Sequence, residues 1–213
     1  MTALQDRVTD LGLTGRDFLT VHDYAPAEVV ALLDLAGELK AAQKAGQAHA
    51  LLTGKAVGMI FTKTSTRTRI SFEVGIAQLG AQPLYLNAND IQLRVGETMK
   101  DTGNVLSRYL DAIMIRTFAQ ADVVDLAASA TIPIINGLTD DHHPCQAMAD
   151  ALTVKEHCGG LEGRLRLVPH RVVADGLVRP RGQVYLQILK SEYAQDIPRK
   201  SQHADQLVGQ LLR

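Results

Sequence analysis

Tryptophan is absent and aromatic residues make up only 4% of the 213 residues, so a hydrophobic core must be built from Leu, Ile, Val, Ala and Met. Cysteine is almost as scarce. Two thiols, Cys145 and Cys158, cannot staple a chain of this size and fit a reducing, cytoplasmic setting. No Cys/His spacing resembles a zinc site, so no metal is expected. No apolar stretch approaches the roughly 20 residues of a membrane helix. The segment Met1 to Gly15 carries Asp6, Arg7 and Asp10 and holds no apolar signal region. Charge of either sign is also missing in bulk: 22 basic and 23 acidic residues leave a formal net charge of -1. That balance argues against a nucleic-acid or membrane-binding surface. The remainder, 46% hydrophobic and 21% charged, is the composition of an ordinary globular protein with room for one large or two small domains.

Periodicity divides the chain. Pro26 to Gln43 reads as a helix with Pro at its first position. Val57 to Phe61 is a short apolar run suited to a buried strand, and Ser65 to Leu79 a helix whose apolar positions lie on both faces, so it is expected to be largely buried. Gly80 stands where a C-capping glycine belongs. Then follow a strand over Pro83 to Asn87, a loop to Gly96, a helix over Glu97 to Tyr109 and a strand over Ala112 to Arg116. A helix over Ala121 to Ser129, a strand over Ile132 to Asn136, a polar loop over Thr139 to Pro144 and a helix over Cys145 to His157 complete the series. Connections this long join parallel strands, which predicts an α/β fold: a doubly wound parallel sheet with helices on both faces. Ligands in such sheets sit beyond the carboxyl ends of the strands. Chemistry is therefore expected at Phe61 to Arg69, Asn87 to Gly96, Arg116 to Ala119 and Asn136 to Gln146.

The pattern changes after Gly160. Leu165 to Ala174 could be a strand interrupted by Pro169, Val184 to Leu189 a strand or helical turn, and Ser201 to Leu212 a helix. No second series of strand-helix units follows.

The segment Thr62-Lys63-Thr64-Ser65-Thr66-Arg67-Thr68-Arg69 falls between a strand and a helix. A helix start offers unpaired N–H groups and the positive end of the dipole. Ser and Thr hydroxyls add donors and Arg67 a planar fork, which together suit a phosphate monoester or acyl phosphate. The same residues would also make a simply capped helix with surface arginines, and pattern alone weighs the two about equally. It is not a nucleotide-binding loop, because the glycines and the Gly-Lys-Ser/Thr ending are missing. In His143-Pro144-Cys145-Gln146, a His and a Gln one turn apart can face one ligand, the imidazole polarising a carbonyl and the amide holding an amide. A satisfied loop histidine beside a capping glutamine is the reading that this motif alone favours, and His142 shares the ambiguity. Arg116 closes an apolar strand, where a charge needs a partner. Gln92, in the loop after the second strand, signals nothing by itself.

In combination these segments resemble the aspartate/ornithine carbamoyltransferase family. They are Phe61 to Arg69, Gly96-Glu97-Thr98 with Asp101-Thr102, Met114 to Thr117, Asn136 to Thr139 and His143 to Gln146, in family order and spacing over roughly residues 15 to 163. The stretch Leu106 to Phe118 is similar to the ornithine branch rather than the aspartate branch. The resemblance implies transfer of a carbamoyl group from carbamoyl phosphate to the side-chain amine of L-ornithine, giving L-citrulline and phosphate, with no metal or organic cofactor. It implies that Ser65, Thr66, Arg67 and Thr68 bind the phosphate, that Arg116 and His143 contact the carbonyl oxygen, with Arg116 also touching phosphate, and that Gln146 holds the carbamoyl amide. Gln92 would reach the phosphate of a neighbouring subunit in a homotrimer. Alternatives within the same resemblance are a non-catalytic module that binds carbamoyl phosphate or phosphate, and a sister carbamoyltransferase with another amine acceptor.

Three departures from the family pattern qualify it. Arg94 and Val95 stand where the family has glycine and often a basic residue, so Arg94 either distorts the loop or adds a charge beside the phosphate. Leu165 to Val172 replaces the strand that ends in a Gly-Asp-Gly-Asn-Asn-like turn, and no Ser-Met-Gly or His-Cys-Leu-Pro segment follows. The expected organisation is a carbamoyl-phosphate-binding domain over residues 1–160 and a divergent or remnant tail over 161–213, without a complete ornithine-binding domain.

Overall fold

Apolar β-branched runs bounded by turns become the centre of the sheet. The computed structural model describes residues 3–161 together with two short strands, Arg166–Val168 and Arg171–Val173. Strands β1 (Ala56–Phe61), β2 (Gln82–Asn87), β3 (Ala112–Arg116) and β4 (Ile134–Leu138) form one sheet in the order β2-β1-β3-β4. Every pairing is parallel, with Phe61 opposite both Asn87 and Arg116. All four carboxyl ends therefore lie on one edge, as the long connections required. Helices α1 (Ala3–Asp10), α2 (Pro26–Lys44), α3 (Thr66–Gln78), α4 (Met99–Leu106), α5 (Gln120–Ser129) and α6 (Pro144–Cys158) make up the rest, with 3-10 turns at Val21–Asp23 and Gln92–Val95.

Strand alternation sends side chains to two cores. Ile60, Ile113, Ile115 and Ile134 meet Val123 and Leu126 of α5, with Met99 and Leu106 of α4 beside them. Val57, Met59, Phe61 and Met114 face the other way, against Ile76 and Phe72 of α3. A third cluster joins α2 to α6 through Val29, Leu33, Ala147 and Ala151. Full burial of one such aliphatic side chain contributes about 1.5–3 kcal/mol, so the central strands anchor the fold.

The expected helix over Ser65 to Leu79 is present but is not largely buried. Ile76 is its one buried residue, while Ile70 and Val74 are 56% and 47% exposed. They form a second strip, one turn apart, which looks away from the sheet. The strand expected over Ile132 to Asn136 starts two residues later. The Asp17 carboxylate accepts from the Ile134 N–H at 2.8 Å, and the backbone of Phe18 pairs beside Ile135. The register slips between Ile115 and Arg116, so that Arg116 faces Leu138. Gly137 sits at the slip. A Cβ there would lie 2.5 Å from Met114 Sδ and 3.2 Å from the Ile115 carbonyl oxygen. The segment expected as one strand over Leu165 to Ala174 is instead two three-residue strands, β5 and β6, paired antiparallel. Pro169, which has no N–H for a ladder, falls between them. The elements expected at Val184 to Leu189 and Ser201 to Leu212 lie outside the described residues. Among the described residues no helix is long and apolar enough to cross a membrane.

Candidate functional site

The carboxyl end of β1 passes through Thr62 to Ser65 directly into α3. Ser65 is the N-cap, extended at φ -163 and ψ 122, and its Oγ accepts from the Thr68 N–H at 3.3 Å. The cap leaves the N–H groups of Thr66 and Arg67 at the helix mouth without intrahelical partners. Thr66 and Arg67 are exposed, and Ser65 and Thr68 half-buried.

Arg116, the last residue of β3, reaches this mouth. Its Nη1 donates to Thr68 Oγ1 at 3.2 Å, while its Nε is buried and has no partner among the described residues. Burial first, then the nearby Arg67 charge, lowers the Arg116 pKa. Two guanidinium groups therefore approach one helix start, with no carboxylate paired to either among the described residues. Beneath them, the Thr62 hydroxyl donates to Thr117 Oγ1 at 3.0 Å, and Thr117 donates to Asp122 at 2.6 Å. That chain fixes the ends of β1 and β3 relative to each other.

The loop after β4 delivers the third element. His143 is the N-cap residue of α6 at φ -138 and ψ 71, and Pro144 follows at the first helical position. Thr139, buried, braces the loop: it donates to Gln120 Oε1 at 2.8 Å and accepts from the His142 N–H at 2.9 Å. The His143 Nδ1 is buried with no partner among the described residues. Burial, then the Arg116 charge, pushes the His143 pKa down to about 4. At neutral pH the ring is thus neutral, with one N–H to donate and one nitrogen to accept. Cys145, next in the helix, donates its S–H to the Asn136 carbonyl at 3.4 Å, and burial pushes its thiol up to about 12. Gln146 is exposed, and its Nε2 donates to Asp150 Oδ1 at 2.9 Å.

Ser65, Thr66, Arg67, Thr68 and Arg116 are thus gathered at one helix start, and His143 is close enough to feel the Arg116 charge. Gln146 lies one turn beyond His143. Gln92, in the turn after β2, is exposed, and among the described residues no hydrogen bond or ion pair joins it to this group. Sequence reasoning did not single out Lys63, which pairs with Asp140 and lies 4.3 Å from the centre of the Phe118 ring. Nor did it single out Gln120 or Asp150. Lys63 had a signal, since it shares the loop with Ser65. Gln120 and Asp150 matter through contacts that no local pattern marks. Among the described residues, no group of three or more His, Cys, Asp or Glu is placed to hold a metal.

Comparison with known proteins agrees with this geometry. Residues 16–156 match the model of the carbamoyl-phosphate-binding domain of aspartate/ornithine carbamoyltransferases. The chain is 55% identical over 153 residues to an ornithine carbamoyltransferase of Pyrococcus horikoshii, a match that covers 72% of this chain and 48% of that one. It is 57% identical over 151 residues to that of Anoxybacillus flavithermus, over 71% of this chain and 48% of the other. The chain thus spans about half the length of the curated relatives it matches. The solved ornithine carbamoyltransferase of Pyrococcus furiosus superimposes with a TM-score of 0.69 at 55% identity, over 71% of this chain and 49% of that one. An aspartate transcarbamoylase of Trypanosoma cruzi, in complex with aspartate and phosphate, superimposes with a TM-score of 0.68 at 28% identity, over 72% and 48%. A parallel sheet with a Ser/Thr-Arg helix mouth at its carboxyl edge, matched in both sequence and structure over most of residues 16–156, leaves one assignment: the chain belongs to the aspartate/ornithine carbamoyltransferase family.

Proposed function

We propose that residues 1–160 bind carbamoyl phosphate and serve transfer of its carbamoyl group to the side-chain amine of L-ornithine, with residues 161–213 a divergent tail that is not a complete ornithine-binding domain. The observation that carries this is the approach of Arg116 to the start of α3, where Arg67 also stands, with a neutral His143 near enough to feel the Arg116 charge. Two cations and a helix N-terminus suit a dianionic phosphate. The higher identity to ornithine enzymes than to the aspartate enzyme favours ornithine as acceptor.

In the reaction the amine nitrogen attacks the carbonyl carbon. The new C–N bond forms, the bond from that carbon to the bridging oxygen breaks, phosphate leaves with the electron pair, and the proton shed by the amine passes to the departing phosphate. Ser65, Thr66, Arg67 and Thr68 hold the phosphate. Arg116 and His143 face the carbonyl oxygen as charge builds on it, where one fixed donor is commonly worth about 10²–10³ in rate. Gln146 holds the carbamoyl amide. The acyl phosphate is already activated, so these residues need no cofactor to run the step.

Gln92 reaches the phosphate of a neighbouring subunit in a homotrimer. Its exposure at the turn after β2 supports that reading. The setting that fits is cytoplasmic arginine biosynthesis or catabolism. Calorimetric titration with carbamoyl phosphate and a citrulline assay with ornithine test the proposal together. Binding with citrulline formation is expected. Binding without citrulline would reduce the chain to a carbamoyl-phosphate module, and no heat of binding from folded protein would refute both.

A further inference from the structure

The amide of Gln146 can present either of two faces, and only one suits a carbamoyl group. The –NH2 of carbamoyl phosphate is a donor, so it needs the Oε1 of Gln146, an acceptor. The Nε2 end would set donor against donor. A glutamine on an exposed helical turn has no intrinsic preference, because its last torsion is broad and roughly two-fold.

The structure supplies a preference. Asp150 lies one turn further along α6 and is half-buried, and its Oδ1 accepts from Gln146 Nε2 at 2.9 Å. A carboxylate can only accept, so the amide end that faces it must be the –NH2. Oε1 is then turned away from Asp150. Burial raises the Asp150 pKa, and the Gln146 hydrogen bond offsets part of that rise. No cation pairs with this carboxylate among the described residues. Its side-chain partner is Gln146. A half-buried carboxylate without a cation is costly for stability alone.

We propose that Asp150 is a positioning residue, which fixes the rotamer of Gln146 so that its carbonyl oxygen, not its amide nitrogen, meets the –NH2 of the bound acyl phosphate. The inference rests on the proposed binding of carbamoyl phosphate. Asp150 acts through Gln146 and touches no substrate atom. It selects for a carbamoyl over an acetyl group, since acetyl phosphate carries a methyl in place of the –NH2 and has nothing to donate.

The test is calorimetric titration of the full chain with carbamoyl phosphate and, separately, acetyl phosphate. The variants are Asp150→Leu and the smaller truncation Asp150→Ala, each checked for fold by circular dichroism. The unaltered chain should prefer carbamoyl phosphate. Either variant should weaken carbamoyl phosphate about tenfold, the order of one hydrogen bond to an oriented polar group, and leave acetyl phosphate within about twofold. Once Gln146→Leu is in place, adding Asp150→Ala should cost carbamoyl phosphate nothing more. Equal weakening of both ligands would mean that Asp150 only holds the helix, and unchanged carbamoyl phosphate binding would mean that Gln146 needs no guide. Either result overturns the inference and leaves the binding site standing. Failure of the unaltered, folded chain to bind either ligand overturns the proposed function itself, and the inference with it.

Discussion

Protonating His143 should weaken the fold within a defined pH window. Burial and the Arg116 charge both oppose an imidazolium there, and together they bring the pKa from 6.5 to about 4. That fall of about 2.5 pKa units corresponds to about 3 kcal/mol at 1.36 kcal/mol for each. The sign follows from proton counts. Between pH 6.5 and 4 the unfolded chain binds a proton on this ring and the folded chain does not. The contribution is therefore complete above about pH 6.5 and lost as the pH falls through 4. Urea unfolding at pH 7.5, 5.5 and 4, on the unaltered chain and on His143→Gln, isolates it. Carboxylates that also titrate in this range, Glu28 and Asp111 with lowered pKa values among them, are common to both proteins and cancel in the difference. The unaltered chain should lose up to about 3 kcal/mol more than the variant on acidification. Parallel losses would show that His143 is neither buried nor near Arg116. A second arm reads the ligand. Phosphate held between Arg67 and Arg116 would offset the charge that depresses the ring, so the resonance missing in His143→Gln should titrate at a higher pH with saturating phosphate. A resonance that does not move would place the anion elsewhere.

Arg67→Ala should weaken carbamoyl phosphate roughly 100-fold by calorimetry, about 3 kcal/mol for a bidentate charged contact, with a melting temperature that does not fall, because the side chain is exposed and its removal relieves like-charge repulsion on Arg116. Unchanged affinity would contradict its role. Cys145, with its thiol pushed up to about 12, should resist iodoacetamide at pH 8 in the folded chain and react in urea. Peptide mass spectrometry showing rapid native alkylation would contradict its burial. Gly103→Ala should destabilise the fold, because a Cβ there would lie 2.4 Å from Ser129 Oγ, 3.1 Å from the Leu126 carbonyl oxygen and 3.3 Å from the Ala130 nitrogen. The serine can turn away but the backbone of α5 cannot, so a cost of about 1–3 kcal/mol outweighs the gain of roughly 1 kcal/mol from removing a helical glycine. A neutral or raised melting point would show that α4 and α5 pack more loosely.

The strands at the centre of the sheet were legible because their signal is local. Ala112 to Arg116 is an unbroken apolar run ending in one charge, and its limits need no information from elsewhere. The limits of β4 do. Ile134 is its first residue because Asp17, 117 positions earlier, holds its N–H, and no window around Ile132 contains that fact. The burial of α3 was misread for a related reason. Apolar residues on both faces suggest a helix covered on both sides, yet Phe72 and Ile76 pack against the sheet while Ile70 and Val74 stay exposed. Helix α1 was missed altogether, because Ala3 to Asp10 shows no sustained apolar period. At the site the split is similar. The Ser65 cap follows from residue type and spacing, whereas the approach of Arg116 to Thr68 crosses 48 positions and needs the parallel register of β1 and β3.

That register explains why the cations are where they are. Phe61 and Arg116 are partners across the β1–β3 ladder, so the residue that ends β3 stands beside the loop that begins α3. The arrangement is poor for stability taken alone. A buried donor without a partner, such as Arg116 Nε, costs about 1–3 kcal/mol, and Arg67 adds like-charge repulsion. A neutral His143 is the tolerable third member of such a group, since an imidazolium would add a further positive charge. A dianion between the arginines would relieve the repulsion, and the relief would appear both as affinity and as added stability. The same groups that burden the fold are therefore the ones through which an acyl phosphate would be held, and substitutions that remove a cation here should trade affinity for stability rather than lose both.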